Sequence, residues 1–363
     1  MSREHKCEVV VISQIAKHPN ADRLGITRVF GYQCIVNIAE FHPGMLAVFI
    51  PPESLVPLDR EVFAFLKNEK HPERTHARVG AKRLRKEWSE GLLLPLPTDE
   101  AGSMGWAEGD DLATALGVTH YEPPEPPSGP LTSGKLTRKP PGFPIRTYDV
   151  EALRRYKSLL VPGEQVLVTE KIHGSQARYT YRGGVFHVGS KGVWRAGDTL
   201  PRWLRWVRRL PWCGSALPPA PTDAWTRVLS ESKQLQQYLR DHPGHVVYGE
   251  VYGSGVQDLT YGCKNGEIRF AAFHVLTEEG FMPQHRARNI LRNWKIDVVP
   301  VLYEGPYSED AILPLAEGLS VMPGAGHLRE GCVVAPFEMR TDTRCGGPVH
   351  LKVVSRNYLE RGL

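Results

Sequence analysis

A lysine closes an apolar run at Val168-Thr169-Glu170-Lys171, and Ile172-His173-Gly174-Ser175-Gln176 follow at once. Burial of an amine disfavours its charged form, and only the neutral amine has a lone pair to attack an electrophile. Gly174 has no Cβ, so a phosphate could approach the backbone there. Taken alone, a lysine at a strand end is equally a surface side chain with its methylenes along the sheet and its head in water. Five further elements, in chain order, change that reading. Ser190-Lys191-Gly192 follows one hairpin later, and Tyr248-Gly249-Glu250-Val251-Tyr252-Gly253 puts a carboxylate on a glycine-flanked strand. Phe270-Ala271-Ala272-Phe273-His274-Val275 supplies an aromatic strand, Arg329-Glu330-Gly331-Cys332 a second carboxylate, and Leu351-Lys352-Val353 a lysine on the final strand. A nucleophilic lysine, two carboxylates, an aromatic ring and two further cations are the parts needed to hold a nucleoside triphosphate with a metal. The same parts can take its α-phosphorus covalently.

The order of these elements resembles that of the covalent nucleotidyltransferase superfamily of ligases and capping enzymes. The Thr169–Gly174 string is most similar to the RNA ligase 2-like family of ATP-dependent RNA ligases. With the unit that precedes it, the chain resembles the Deinococcus-type ligases over nearly all of its 363 residues. The resemblance implies that Lys171 attacks the ATP α-phosphorus and becomes lysyl-AMP, with His173 taking part in forming the adenylate. It implies that Glu170 faces the adenine and Phe273 stacks on it, that Gly174 and Gln176 belong to the nucleotide loop, and that Lys191 lies near the ribose and nucleic-acid end. Glu250 would contact the ribose or metal-bound water, Glu330 would assist the metal, and Lys352 would hold the α-phosphate. ATP as AMP donor and Mg²⁺ or Mn²⁺ are the cofactors so implied. RNA, or an RNA-containing nicked duplex sealed at 3′-OH and 5′-phosphate ends, is the partner, and no obligate protein partner follows. Phe273 also reads as ordinary core and Lys191 as a hairpin-tip surface lysine. Two positions depart from the pattern: Gln176 stands where the family often has asparagine, and His350 where the last motif commonly has a second lysine. DNA ligases and capping enzymes carry their OB domain after the final lysine motif, whereas here the OB-like unit comes first and eleven residues follow Lys352. A nucleic-acid-binding protein with an inactive transferase fold is the alternative from another class.

The elements that must position these residues read as an α+β pattern. Residues 122–144 are so rich in proline that neither a regular helix nor a central strand fits, which marks a linker over 121–145. It separates an OB-fold β-barrel over 1–120 from an adenylyltransferase domain of antiparallel sheets and flanking helices over 146–363. In the first part, short β-branched runs broken by glycine, proline and asparagine fit a small barrel. His18-Pro19-Asn20-Ala21-Asp22-Arg23-Leu24, with His42-Pro43-Gly44 and Ser89-Glu90-Gly91 later, resembles the tRNA-binding type of OB domain. Arg78, Lys82, Arg83, Arg85 and Lys86 beside Trp88 read either as a phosphate-tracking patch or as a solvated charged face. In the second part, strands are expected at 165–170, 177–181, 185–189, 246–251, 268–276, 298–303, 331–336 and 349–354. Helices are expected at 150–160, 225–241 and 283–294. Interleaved Trp and Arg over 194–212 suit base stacking, an amphipathic helix packed on the domain, or a membrane surface.

Composition sets the frame. Hydrophobic residues make up 41% and charged residues 23%, which excludes a wholly disordered chain. The net charge of +5 is unevenly spread: residues 1–120 hold 14 Lys/Arg and 16 Asp/Glu, while the remainder holds 31 and 24. A polyanion site belongs to the second part or to a local patch of the first. No apolar run reaches the roughly 18–20 residues of a membrane helix, and the first residues lack a signal-peptide pattern, so a cytoplasmic location is expected. The six cysteines show no CxxC or zinc spacing and read as small buried hydrophobes.

Overall fold

The computed structural model describes residues 6–69, 71–96, 105–121, 135–137, 145, 149–196 and 223–361. Most of the expected linker and the Trp/Arg-rich stretch beyond residue 196 lie outside the described residues. The chain divides into two compact units, residues 1–123 together with 354–363, and residues 124–353. The last ten residues thus group with the first unit, whereas the sequence reading assigned them to the catalytic domain.

The first unit contains β1 (Glu8–Val11), β2 (Leu24–Val29), β3 (Tyr32–Asn37), β4 (Leu46–Ile50), β5 (Ser54–Pro57), β6 (His76–Val79), β7 (Ala81–Leu84), β8 (Glu87–Glu90) and β9 (Leu92–Pro95). β4 is central, flanked by β1 and β9 in antiparallel register. Alternate residues of β1 and β4 face opposite sides, and both sides are buried: Val9, Val48 and Ile50 enter one core, Val10, Ala47 and Phe49 another. That is why these strands read as unbroken apolar runs.

The motif that begins at His18 closes on the β7–β8 hairpin. His18 is fully buried, its Nδ1 accepts from the backbone N–H of Asn20 at 3.0 Å, and its Nε2 lies 3.2 Å from the Leu84 carbonyl. Asn20 Nδ2 donates to the Arg85 carbonyl at 3.0 Å. The turn so held has Arg85 and Lys86 at φ 50° and 76°, the left-handed region, which costs a side-chain-bearing residue on the order of 1 kcal/mol. The basic run is therefore divided. Arg78 stands 4.0 Å from Glu53 and over the Tyr121 ring. Arg83 covers the Trp88 ring at 4.4 Å and donates to Asn357 Oδ1 at 3.0 Å, on the helix Arg356–Arg361. Arg356 of that helix pairs with buried Glu90 at 2.8 Å.

Among the described residues the second unit holds two large sheets and a two-stranded ladder of Thr341–Asp342 with Gly347–Pro348. The larger runs Lys135–Thr137, β13 (Trp194–Ala196), β12 (Val185–Ser190), β11 (Ser175–Arg182), β14 (Val246–Gly253), β15 (Ile268–Thr277), Gly280–Phe281. The smaller runs Glu151–Ala152, β18 (Leu351–Val354), β17 (Gly331–Pro336), β10 (Gln165–Lys171), β16 (Val301–Pro306). Helices α1 (Ala224–Glu231), α2 (Lys233–Asp241) and α3 (Gln284–Asn293) pack Trp225, Leu229, Leu235, Tyr238 and Leu291 against Tyr179, Val247, Val251 and Phe270 of the larger sheet. Each such side chain contributes about 1.5–3 kcal/mol by leaving water.

Three expectations shift. The single helix expected over 225–241 is two, because the Ser232 side chain accepts from Leu235 N–H and caps a new helix. The strand expected at 298–303 begins at Val301, since Val298 bridges to Ala272 of the other sheet. The amphipathic helix expected over 150–160 is a short strand followed by single turns, Leu153–Tyr156 and Lys157–Leu159. The five described cysteines are free and buried, as small apolar side chains are. Among the described residues no helix is long and apolar enough to cross a membrane.

A Cβ on Gly249 of β14 would lie 2.3 Å from the Phe270 ring and 2.5 Å from the Ala271 carbonyl. Gly249→Ala should therefore destabilise the protein by about 1–3 kcal/mol, the cost of overpacking a core, read as a lowered denaturant midpoint with an unchanged slope.

Candidate active site

β10 ends in the smaller sheet at Lys171, and β11 begins in the larger at Ser175, so Ile172–Gly174 carry the chain from one sheet to the other. Gly174 is required there: a Cβ would meet the Val251 carbonyl at 2.3 Å and Glu250 Cγ at 2.8 Å. Lys171 pairs in register with Gly331 of β17, which sets Glu330, one residue earlier, against the lysine head. Lys171 Nζ donates to Glu330 Oε1 at 2.6 Å, and His173 Nδ1 lies 3.4 Å from Glu330 Oε2. The lysine thus ends its strand against a carboxylate.

Glu330 is itself held from behind. The Arg329 guanidinium donates to the carbonyls of Leu315 and Leu319, fixing the loop that enters β17. Burial works against the Glu330 charge, yet Lys171 and His173 outweigh it and hold its carboxyl at about 2. Glu250, across the register from Gln176, goes the other way. Burial pushes its carboxyl up to about 8, with Lys171 opposing the rise and the like charge of Glu330 adding to it. Two carboxylates of one site are thereby driven apart in acidity, a pattern of functional sites.

The other expected residues take these positions. Glu170 is buried, and its Oε2 accepts from the Val321 N–H at 2.8 Å; its Oε1 has no partner among the described residues. Gln176 Oε1 is likewise buried without a partner among the described residues. Lys191 follows β12 and pairs with Asp149 at 2.5 Å, half-exposed, while its charge is felt at Glu250. Phe273 is partly buried on β15, next to the strand of Glu250. Lys352, on β18, is one strand removed from β10. His350, where a second lysine was the family pattern, is fully buried and stacks on His274 at 3.8 Å; burial lowers it to about 3, so it carries no charge at neutral pH. It is core, and supplies no cation to a phosphate.

Two features were not read from the sequence. The β14–β15 register slips between Tyr248 and Gly249: Tyr248 faces His274 and Gly249 faces Ala272, so Phe273 is the extra residue of a bulge, a device that re-aims a side chain. The other is Tyr261. It is fully buried, at φ 50°, and its hydroxyl accepts from the His173 backbone N–H at 2.6 Å. His327 and Tyr252 pack edge-on against its ring. The only sequence signal was an aromatic-glycine pair in a loop, at Tyr261-Gly262.

Glu250, Glu330 and the unpartnered amide oxygen of Gln176 are hard oxygen donors of the kind Mg²⁺ and Mn²⁺ take. Among the described residues no group of three or more His, Cys, Asp or Glu could hold a metal alone. That donor set fits a cation that keeps water and substrate phosphates as its remaining ligands.

The two carboxyls give opposite pH dependences in protein stripped of cations with a chelator. Glu250 is raised above its ordinary 4.5, so its contribution is present below that value and lost as pH rises toward 8. Glu330 is lowered, so its contribution is present above 4.5 and lost as pH falls toward 2. Melting temperature against pH should show Glu250→Gln flattening the loss from about 5 to 8, and Glu330→Gln destabilising the protein at neutral pH. Tyr261→Phe keeps the ring and should cost about 1–3 kcal/mol through the His173 N–H left unpaired.

The RNA ligase family model matches residues 164–354, and an OB-fold domain model matches residues 7–96. No curated protein matches the chain. Among solved structures, a lysine-to-methionine mutant of Naegleria gruberi RNA ligase with AMP and Mn is 19% identical, with 98% of each chain covered and a TM-score of 0.75. A lysine-to-alanine mutant of the same ligase with ATP and Mn is 20% identical over 98% of each chain, at a TM-score of 0.73. The ligase with PPi is 21% identical over 98% of each chain, also at 0.73. At these identities the likeness speaks for the fold. The family match takes in just over half of the chain and spans each of the six elements around Lys171, from β10 to Lys352. With an OB-fold unit in front of an antiparallel two-sheet domain, the chain belongs to the RNA ligase family.

Proposed function

We propose that this ligase is ATP-dependent and joins a 3′-OH RNA end to a 5′-phosphate, at nicks in duplexes, through a lysyl-AMP intermediate on Lys171. The observation that carries the reading is the Lys171 amine 2.6 Å from Glu330, where β10 ends at the three-residue passage between two sheets. The ATP- and PPi-bound Naegleria structures support it, since these are the substrate and the leaving group of the first step.

In that step Lys171 Nζ loses a proton and attacks the α-phosphorus; the bond to the β-phosphate oxygen breaks and pyrophosphate leaves. Glu330, 2.6 Å away, aims the amine, and the lysine side chain, 24% exposed, is open to water that can take its proton. His173 steadies the far oxygen of Glu330. Lys352 receives the α-phosphate, Phe273 stacks on the base, Glu170 Oε1 accepts a hydrogen bond from it, and Lys191 meets the ribose or nucleic-acid side. Glu250, Glu330 and Gln176 would hold a divalent cation, Mg²⁺ or Mn²⁺, whose chemistry is to neutralise charge on the phosphates. In the second step AMP passes to the donor 5′-phosphate oxygen and the lysine nitrogen–phosphorus bond breaks. In the third the 3′-OH loses its proton and attacks the phosphorus of the donor 5′-phosphate; the bond from that phosphorus to the AMP phosphate oxygen breaks and AMP leaves.

Incubation with ATP labelled at the α-phosphate should leave covalent label on the protein. Lys171→Ala should abolish the label, yet still seal a nick whose 5′-end is already adenylated. Label retained by Lys171→Ala would overturn the assignment. Glu250→Ala and Glu330→Ala should each slow labelling on the order of 10²-fold or more; rates near that of the parent protein would make them ordinary strand residues.

A further inference from the structure

The first unit carries a feature that nucleotidyl transfer leaves unexplained. A two-residue hairpin turn with both φ values positive is normally built from Asn-Gly or Asp-Gly. Here β7 and β8 are joined by Arg85 and Lys86, two long cationic side chains at φ 50° and 76°. Strain of this sort persists only where the surroundings enforce it. The enforcement is visible: fully buried His18 reaches the Leu84 carbonyl, and Asn20 holds the Arg85 carbonyl at 3.0 Å. The motif that begins at His18 is thus spent on presenting a basic turn.

The chemistry of that turn is selective. Arg83 is committed to Trp88, Asn357 and Glu360, and Arg78 to Glu53 and Tyr121. Lys82, Arg85 and Lys86 are exposed, and among the described residues none of the three has an acidic partner. Residues 1–120 carry two more acids than bases, so no bulk field of that unit draws a polyanion. A local cluster must do so. The one aromatic ring on the hairpin, Trp88, has a face covered by Arg83, which favours phosphate contact over base stacking.

We propose that the Arg85–Lys86 turn, with Lys82 beside it on the hairpin, is a contact site for the phosphodiester backbone of the RNA substrate. The contact reads no sequence and positions the duplex. His18 and Asn20 are positioning residues, acting through the turn they hold. The inference rests on the reading that the chain acts on RNA, but its test needs neither ATP nor turnover.

The full chain is titrated into a fluorescent nicked RNA duplex without ATP, and anisotropy is followed across a range of salt concentrations. Arg85→Asn with Lys86→Gly removes both charges and installs the pair that this turn prefers. Its melting temperature should hold or rise, while affinity falls roughly tenfold or more and the log–log salt slope flattens by roughly 1.4–1.8, the share of two phosphate contacts. Arg85→Lys with Lys86→Arg keeps the charge and should bind as the parent does. Unchanged affinity and slope in the Asn-Gly variant would overturn the site, and would be the result if the turn met an acidic protein instead. An equal loss in both double variants would overturn it too, since shape and not charge would then be the cause. Absence of covalent label from ATP would sink the transfer mechanism and leave this binding result interpretable.

Discussion

Everything at the site follows from the shortness of the link between the two sheets. Three residues, Ile172, His173 and Gly174, take the chain from the end of β10 to the start of β11. A passage so short cannot drift, and it is gripped on both sides: Gly174 lies against the Val251 carbonyl where no Cβ fits, and the His173 N–H is held by Tyr261. Lys171 is aimed because its strand ends there. Glu330 and Glu250 come from different sheets and meet only at this seam, so the lysine–carboxylate geometry is a property of the junction, not of any one element.

The seam also explains why neighbouring carboxyls differ so much in acidity. Glu330 is buried and Glu250 half-buried. Glu330 has a lysine and a histidine at hand and stays charged, whereas Glu250 gains less from the same lysine and feels Glu330 as a like charge. One carboxylate thus anchors the amine; the other lacks a compensating partner near enough, and is the group most altered by any arriving positive charge.

Much of this was legible in the sequence because the motifs are local. Val166–Glu170 is an unbroken buried run, so the strand and its terminal lysine could be read directly, as could the glycine-flanked strand around Glu250. What escaped depends on partners far away in the chain. Whether Phe273 faces the site turns on one slipped pairing with β14, and Tyr261 acts through a backbone group 88 residues away. The loss of His350 to the core and the division of the basic run between structural and unpartnered cations likewise need the packed structure. Residue type alone does not separate Arg83, bound to the helix Arg356–Arg361, from Arg85 two positions on.

That helix has a consequence for how the protein is made. It belongs to the first unit although more than 200 residues of the second unit are translated between the two. Arg83 and buried Glu90 must therefore wait for Asn357 and Arg356 until nearly the whole chain has left the ribosome. A buried acid without its arginine is a costly state, so the nascent barrel lacks this pairing until the second unit has been made. Its final set of contacts forms last, and a chain cut short anywhere in the second unit leaves a flaw in the first.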